Sequence, residues 1–497
     1  MKLGDCFRTN ARTTTVAATA AIFALSAVSV SGCGTREAYS KLLKAQAGTP
    51  IVGGQAAPGS SSGAPSIDSG GSGASTSGST SGSPSGSAVT PAGAAGTAQS
   101  ASGAGSGLTA TGGRSGSTGA GQATGSHSCT SPQPTIVIGS VGEQSGIAGA
   151  AVAAGPRAVA AWVSYINAQG GVACHPLKYV IADDGGSPSQ NQALTEQLVD
   201  QDHVVAFVQN DAPLAAAGSE QFLASHGIPV IGSEGAEQFY YDHPDFFPES
   251  ASGDALVYSV FAGMAQELTP SQKAHVGVLS CVEAAECSVY AQQGPADAQK
   301  LGLTLVYNGS GSLSAPNFTS QCQAAEQAGV TALLVALDPN SIHRAASSCA
   351  GVNFHPQLAT AAQTTTPDMA GDPNLNGLDT ELGYVPWTAT NIPSVALFQK
   401  VMSQYGAGVP LDGSSIQGWV TAQMFLAGES NLPPGNITSA QILAGMDSIK
   451  NNDLGGITNP LTFTAGQNAP VGICWFEVKL ENGNFVSPNN GQRSCQS

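Results

Sequence analysis

Cys33 is the side chain whose surroundings most directly specify a reaction. Val30-Ser31-Gly32-Cys33 closes an apolar run from Val16 to Val30, fifteen residues without a charge. A small-residue tripeptide ahead of a cysteine is the pattern of a bacterial lipobox, in which the thiol is acylated and the chain is cut before it. Lys2, Arg8 and Arg12 supply the positive region of a signal segment, and the apolar run is too short for a comfortable membrane span. Residues 1–32 are therefore read as a lipoprotein signal peptide. Cys33 then carries the lipid that holds the chain, outside the cytoplasm, to the outer face of the cell membrane. The competing assignment is an ordinary secretory signal in which Cys33 is incidental.

The other cysteines fit that compartment. Of the ten in the sequence, Cys6 lies in the signal, and Cys129, Cys174, Cys281, Cys287, Cys322, Cys349, Cys474 and Cys495 remain. An even number outside the cytoplasm reads as four disulfides. Pairing neighbours in sequence (129–174, 281–287, 322–349 and 474–495) is the expected scheme. No two cysteines have C-x2-C spacing and His175 stands alone beside Cys174, so no metal site is expected.

Catalytic patterns are missing from the sequence. From Cys129 onward it has no G-x-S-x-G elbow, nowhere has it HExxH or a P-loop, and its histidines are scattered. Asp183-Asp184 are able to pair as acid and base, or to serve as a strand-end cap. The reading is of a protein that is not an enzyme and needs no cofactor. The formal net charge is −17. Loss of the signal makes it more negative still, which disfavours nucleic acid as a partner.

Residues 53–128 are built almost wholly from Gly, Ser, Ala, Thr, Pro and Gln. Such a stretch buries too little apolar surface to offset its ordering entropy, so residues 33–128 are read as acylated Cys plus a disordered tether. As a flexible coil, the low-complexity part would span roughly 45–50 Å.

From Cys129 onward the pattern changes. Thr135–Gly139 is a short apolar run ending in Gly, as in a buried parallel strand. A helix from about Pro156 carries Val159, Trp162, Val163 and Ile166 as its apolar stripe, and Gly170-Gly171 stops it. Strands are then expected at 177–182, 204–208 and 228–231, with helices at 190–200 and 214–225 between them. After a helical stretch at 254–268 the alternation restarts with strands at 275–279, 303–307 and 332–337, and helices at 290–301, 322–328 and 341–349. Strands alternating with helices mean βαβ units, so the fold class is α/β with two parallel sheets flanked by helices. Ligands of such sheets bind beyond the carboxyl ends of the strands, and two facing edges make a cleft.

Several motifs in order carry a resemblance: Gly139–Gly146 (GSVGEQSG), Ile166-Asn-Ala-Gln-Gly-Gly171, Asp183-Asp184, His226-Gly-Ile-Pro-Val-Ile-Gly232 and Asp338-Pro-Asn-Ser-Ile342. Over residues 134–480 the chain resembles the type I periplasmic binding proteins of the Leu/Ile/Val-binding branch, the receptors of ABC importers. The resemblance implies a two-lobed fold with a hinge, with an N-lobe of 134–253 plus 381–456 and a C-lobe of 254–380 plus 457–497. It also implies a small-molecule ligand held between the lobes and a transporter permease as partner. The alternative keeps the fold but makes it a ligand-sensing module that signals to a membrane partner.

The candidate contacts are Gln144, Ser145, Asn210, Asp211, Ser233 and Glu234 on the N-lobe, and Glu286, Asp338 and Gln363 on the C-lobe. Amino-acid receptors of this branch tend to have a Ser/Thr-rich loop after the third strand that receives the ligand carboxylate. Here the loop reads Gln209-Asn-Asp-Ala-Pro213, where Asp211 would repel an anion. In place of a C-lobe acid for the α-amino group stands Ala361-Ala-Gln-Thr364. A neutral or cationic solute, an amide or an aromatic, is thus expected on the same footing as an amino acid.

Overall fold

The computed structural model describes Cys129 and residues 131–233, 238–250, 253–472 and 474–496. The signal segment, Cys33, the tether and Glu234 lie outside the described residues. Strands β1 (Ile136–Gly142), β2 (Leu177–Asp183), β3 (Ala206–Val208), β4 (Val230–Ile231) and β5 (Phe246–Phe247) form the first sheet. Their order is β2-β1-β3-β4-β5 and every neighbouring pair is parallel. Helices α1 (Ala154–Ala168) and α2 (Pro188–Asp200) cover it. The stripe foreseen on α1 is buried, with Val159 and Trp162 fully inside. Between β3 and β4 the expected 214–225 helix is broken: a 3-10 turn at Ala216–Gly218 precedes a short helix, Glu220–His226. Gly218 lies so close to the Pro188 backbone that a continuous helix with side chains there would not fit.

The second sheet holds β6 (Val276–Ser280), β7 (Leu305–Ser310), β8 (Ala332–Ala336), β9 (Gln357–Ala361), β10 (Asp379–Leu382), β11 (Cys474–Glu481) and β12 (Asn484–Val486). Their order is β12-β11-β10-β9-β8-β6-β7, and β13 (Ser494–Cys495) pairs with β11. β6 to β10 run parallel, while β11 is antiparallel to β10 and β12. Strand periodicity sorts the two cores. Leu333 and Val335 of β8 join a cluster with Ile342 and Phe354, and the alternate residues Ala332 and Leu334 join one with Val257 and Phe261. Helices α3 (Gly253–Glu267) and α4 (Ala285–Lys300) lie on one face, and α5 (Thr319–Gln327) and α6 (Pro339–Gly351) on the other.

After β10 the chain returns to the first lobe, where α7 (Gly413–Glu429) and α8 (Ser439–Met446) pack. α7 lies along α1: Trp162 meets Phe425 edge-on at 6.3 Å, and a Cβ at Gly418 would run into the Gly155 backbone. This revises the expected boundaries. Position 381 falls inside β10, a strand of the second sheet, and 457 precedes residues that still belong with the first. Phe463 stacks edge-on against Phe247 of β5 at 5.0 Å, and Ile457, Leu461 and Ala469 share that core. The last crossing therefore comes just before β11. Hydrogen bonds fasten the first two crossing segments to Ile457 and Thr458 of the first lobe. Thr458 Oγ1 donates to the Glu249 carbonyl (2.7 Å), Val385 N donates to the Ile457 carbonyl (2.9 Å), and Tyr384 bridges to Thr458.

Disulfides join Cys129 to Cys174, Cys281 to Cys287, Cys322 to Cys349 and Cys474 to Cys495, the neighbour pairing expected. Each closes within one lobe. Among the described residues, no helix is long and apolar enough to cross a membrane.

Candidate functional site

The carboxyl end of β1 leads into residues 143–148 and the short helix Gly149–Val152. This helix belongs to the first lobe, yet it packs against the Ala362–Thr364 turn and α6 of the second. The run Gly149-Ala-Ala-Val-Ala-Ala-Gly155 is made of small residues, which lets the backbones approach. On the same seam, a Cβ at Gly413 would strike the Ala362 carbonyl. The two strand-end edges are thus in contact along one side.

On the first lobe, Asp183 and Asp184 organise the β1 loop. Asp183 Oδ1 accepts from the backbone N–H groups of Gln144 (3.0 Å), Ser145 (3.2 Å) and Gly185 (3.0 Å). Partial desolvation pushes this carboxyl up, but the Ser145, Gly185 and Gln144 donors outweigh it and hold it below the usual range. Asp184 accepts from Gly186 N (2.8 Å) and Asn191 Nδ2 (2.7 Å). Both carboxylates serve the strand-end role foreseen as the alternative to acid–base chemistry. Glu143, not singled out from the sequence, is fully buried; its Oε1 accepts from Leu214 N (2.7 Å), while Oε2 has no partner. Burial pushes it up to about 7, with Asp184 adding repulsion.

Asn210 and Asp211 turn inward. Asn210 Oδ1 accepts from Val141 N (2.8 Å), and the Asn210 carbonyl accepts from the Tyr240 hydroxyl (3.0 Å). Asp211 Oδ2 accepts from Gln209 Nε2 (2.7 Å), whose Oε1 accepts from Thr421 Oγ1 of α7 (2.6 Å). Asp211 has no exposed surface, and burial pushes it up to about 8. The expected repulsion of an anion by this carboxylate therefore loses its basis, because the side chain is spent on packing β3 against α1 and α7. Ser233 is buried as well. Its N–H donates to Glu249 Oε2 (3.2 Å), and Gln417 of α7 donates to the Ser233 carbonyl and to Glu249 Oε1. Burial brings Glu249 up to about 7.

On the second lobe, Asp338 caps α6, with Oδ2 accepting from Asn340 N (3.1 Å). Its Oδ1 is buried without a partner. Across the seam, Gln144 Nε2 is likewise buried without a partner, and the Gln144 backbone packs on Gly149. Glu286 sits half-buried in the first turn of α4, and desolvation pushes it up to about 7. Gln363 lies in the turn that meets the Gly149–Val152 helix, and Ser145 is exposed. The structure thus gathers Gln144, Ser145, Asp338 and Gln363 along the lobe edges, and draws Asn210, Asp211 and Ser233 into the scaffold. Glu143, Glu249 and Gln417 escaped the sequence reading because their side-chain partners lie as far as 184 residues away. Among the described residues, no three His, Cys, Asp or Glu side chains are grouped to hold a metal ion.

The family model described as "periplasmic binding protein" matches residues 135–484. None of the curated proteins matches the chain. Solved structures share the fold at low identity. A branched-chain amino acid ABC transporter protein from Thermus thermophilus with bound valine aligns at TM-score 0.63 and 16% identity, over 74% of this chain and 98% of its own. The fatty acid ABC transporter substrate-binding protein from Thermomonospora curvata aligns at TM-score 0.61 and 16% identity, over 74% and 95%. A solute-binding protein from R. palustris in complex with benzoate aligns at 0.60 and 16%, over 73% and 98%. With two α/β lobes joined by crossing segments and a family match over most of its length, the chain belongs to the type I periplasmic binding proteins.

Proposed function

We propose that this chain is an extracytoplasmic receptor, anchored by lipid on Cys33, that captures a small polar solute between its lobes and delivers it to the permease of an ABC importer. One observation carries the binding half of this reading. Just past the carboxyl end of a strand, each lobe carries a buried polar atom with no hydrogen-bond partner among the described residues, a donor at Gln144 Nε2 and an acceptor at Asp338 Oδ1. Leaving either unmatched costs about 1–3 kcal/mol, so a solute that completes both is favoured by that margin. A carboxamide presents the matching pair, a carbonyl for Gln144 and an N–H for Asp338.

Asp183 is exposed at the first-lobe edge and its carboxyl is held below the usual range, so it keeps a negative charge there. That charge disfavours a free carboxylate of the kind carried by valine and benzoate, the ligands of two of the neighbouring structures. The proposed cargo is therefore a neutral amide or a molecule that presents one, with Ser145, Gln363, Glu286 and Glu234 completing its surroundings.

Thermal-shift titration of the purified chain tests this. Benzamide, isobutyramide or a short neutral peptide amide is expected to raise the melting temperature, since a ligand bound by the folded state alone stabilises it by mass action. Valine and benzoate are expected to do so weakly. Gln144→Ala and Asp338→Asn should each weaken the response roughly 10-fold or more while leaving the unliganded melt unchanged, because Asn also caps helices well. No response to any amide, amino acid or aromatic would sink the reading.

A further inference from the structure

The second lobe has a pocket of about 760 Å³ at the amino edge of its sheet, the end opposite the strand-end cleft. Its wall includes Thr331 just before β8, Gln357 at the start of β9, and Gly377 just before β10. A volume of this size lies in the ordinary range for small-molecule sites. No Asp, Glu, Lys or Arg lines it. Phe354 and Leu358 give it an apolar floor, and four carboxamide side chains surround that floor: Gln272, Gln357, Asn374 and Asn376.

Each of these amides has one end pinned to the protein. Gln272 Oε1 accepts from Thr269 N (3.0 Å) and Thr269 Oγ1 (2.8 Å), which leaves Nε2. Asn376 Oδ1 accepts from Asn482 N (2.8 Å), which leaves Nδ2. Asn374 Nδ2 donates to Asp372 Oδ1 (3.0 Å), and Gln357 Nε2 donates to the Gly377 carbonyl (3.1 Å), which leaves the two amide oxygens. The pinned halves fix the orientation of the free halves. Two donors and two acceptors are thereby held ready at no net charge, and preorganisation of this kind lowers the entropy lost on binding.

We infer that this pocket is a second ligand site, separate from the cleft between the lobes, and that it takes a neutral polyhydroxylated molecule, a short saccharide. Vicinal hydroxyls both donate and accept, so they match alternating amide N–H and C=O groups. The C–H face of a sugar ring matches the Phe354 and Leu358 floor. Apart from His355, the lining offers an ionic ligand no titratable side chain, so most of its desolvation would go uncompensated.

Saturation-transfer NMR and calorimetry on the full chain test the site with maltose, trehalose and N,N′-diacetylchitobiose as probes, and glucuronate as the charged control. At least one neutral disaccharide is expected to bind saturably, and glucuronate is not. Gln272→Glu combined with Asn376→Asp keeps both pinned oxygens and replaces both free donors with carboxylate oxygens. Affinity should fall about 10- to 100-fold, the effect of two lost hydrogen bonds. Ala350→Phe fills the pocket from α6 without touching the amides and should abolish binding. The inference is overturned if no neutral probe binds, if binding survives Ala350→Phe in a protein whose melt is unchanged, or if binding is lost in Gln144→Ala.

Discussion

Glu429 ends α7 with no exposed surface, and neither of its carboxylate oxygens has a hydrogen-bond partner. Its side chain lies on Gly445 of α8, where a Cβ would collide with it. Burial pushes this group from 4.5 up to about 9. A raised carboxyl means that the fold accommodates the protonated form. Its contribution to stability is complete below about pH 4.5, where the unfolded chain is also protonated, and is lost as the pH rises toward 9. Glu143, Glu249 and Asp379, each brought to about 7, and Asp211, at about 8, act in the same sense over a narrower window. Calorimetric melts are therefore expected to show higher stability at pH 5 than at pH 8.5. Glu429→Gln removes part of that slope, stabilising the chain by about 2 kcal/mol at the higher pH and changing little at the lower. A Glu429→Gln melt that tracks the parent at both values would refute the assignment.

Between elements, α1 and α7 approach closely in the first lobe. Gly155 and Gly418 face each other there, and the Gly155 N–H donates to Ser414 Oγ (2.9 Å). Gly418→Ala puts a methyl against backbone that has no flexible side chain to move. Although Ala is the better helix former, urea unfolding should show a loss of about 1–3 kcal/mol from overpacking. A neutral or stabilising result would mean that the helices separate freely.

Much of this level was legible in the sequence. The apolar runs of β1 and β8 and the Val159/Trp162/Ile166 stripe of α1 are local patterns, and local patterns survive folding. The neighbour pairing of cysteines was legible for the same reason, since the loops closed are short. The second-lobe candidates Asp338 and Gln363 came from strand ends and do lie along the seam. The fate of Asn210 and Asp211 was not legible, because Gln209 is claimed by Thr421, 212 residues later. Nor was the last crossing, which is set by Phe463 packing on Phe247, a contact with no trace in either segment alone.

At the scale of the whole molecule, the proposed function makes two demands. The lobes must move about their crossings, and the chain must stay at the membrane. The 249 and 384 crossings are both fastened to Thr458 of the first lobe, so they sit side by side where hinge closure would bend the chain. Small-angle scattering is expected to show a smaller radius of gyration when the stabilising amide from the thermal-shift series is added. An unchanged curve at saturation would count against closure. Cys33→Ala should move the protein from the membrane fraction to the medium and abolish incorporation of labelled fatty acid. Retention in the membrane with Cys33→Ala would instead point to the uncleaved signal segment as the anchor.

The disulfides have a mechanical consequence. Under the proposed anchoring through Cys33, a pull from the membrane side would enter the described fold at Cys129, and the bond to Cys174 would carry it to the turn ahead of β2. Gln133 N adds a strut to the same turn by donating to the Cys174 carbonyl (2.9 Å). Load therefore ends on the outer strand of one lobe. The point of entry thus lies on the outer strand of the first sheet rather than on a crossing segment. A receptor held this way can be dragged or strained by its leash without being pried open.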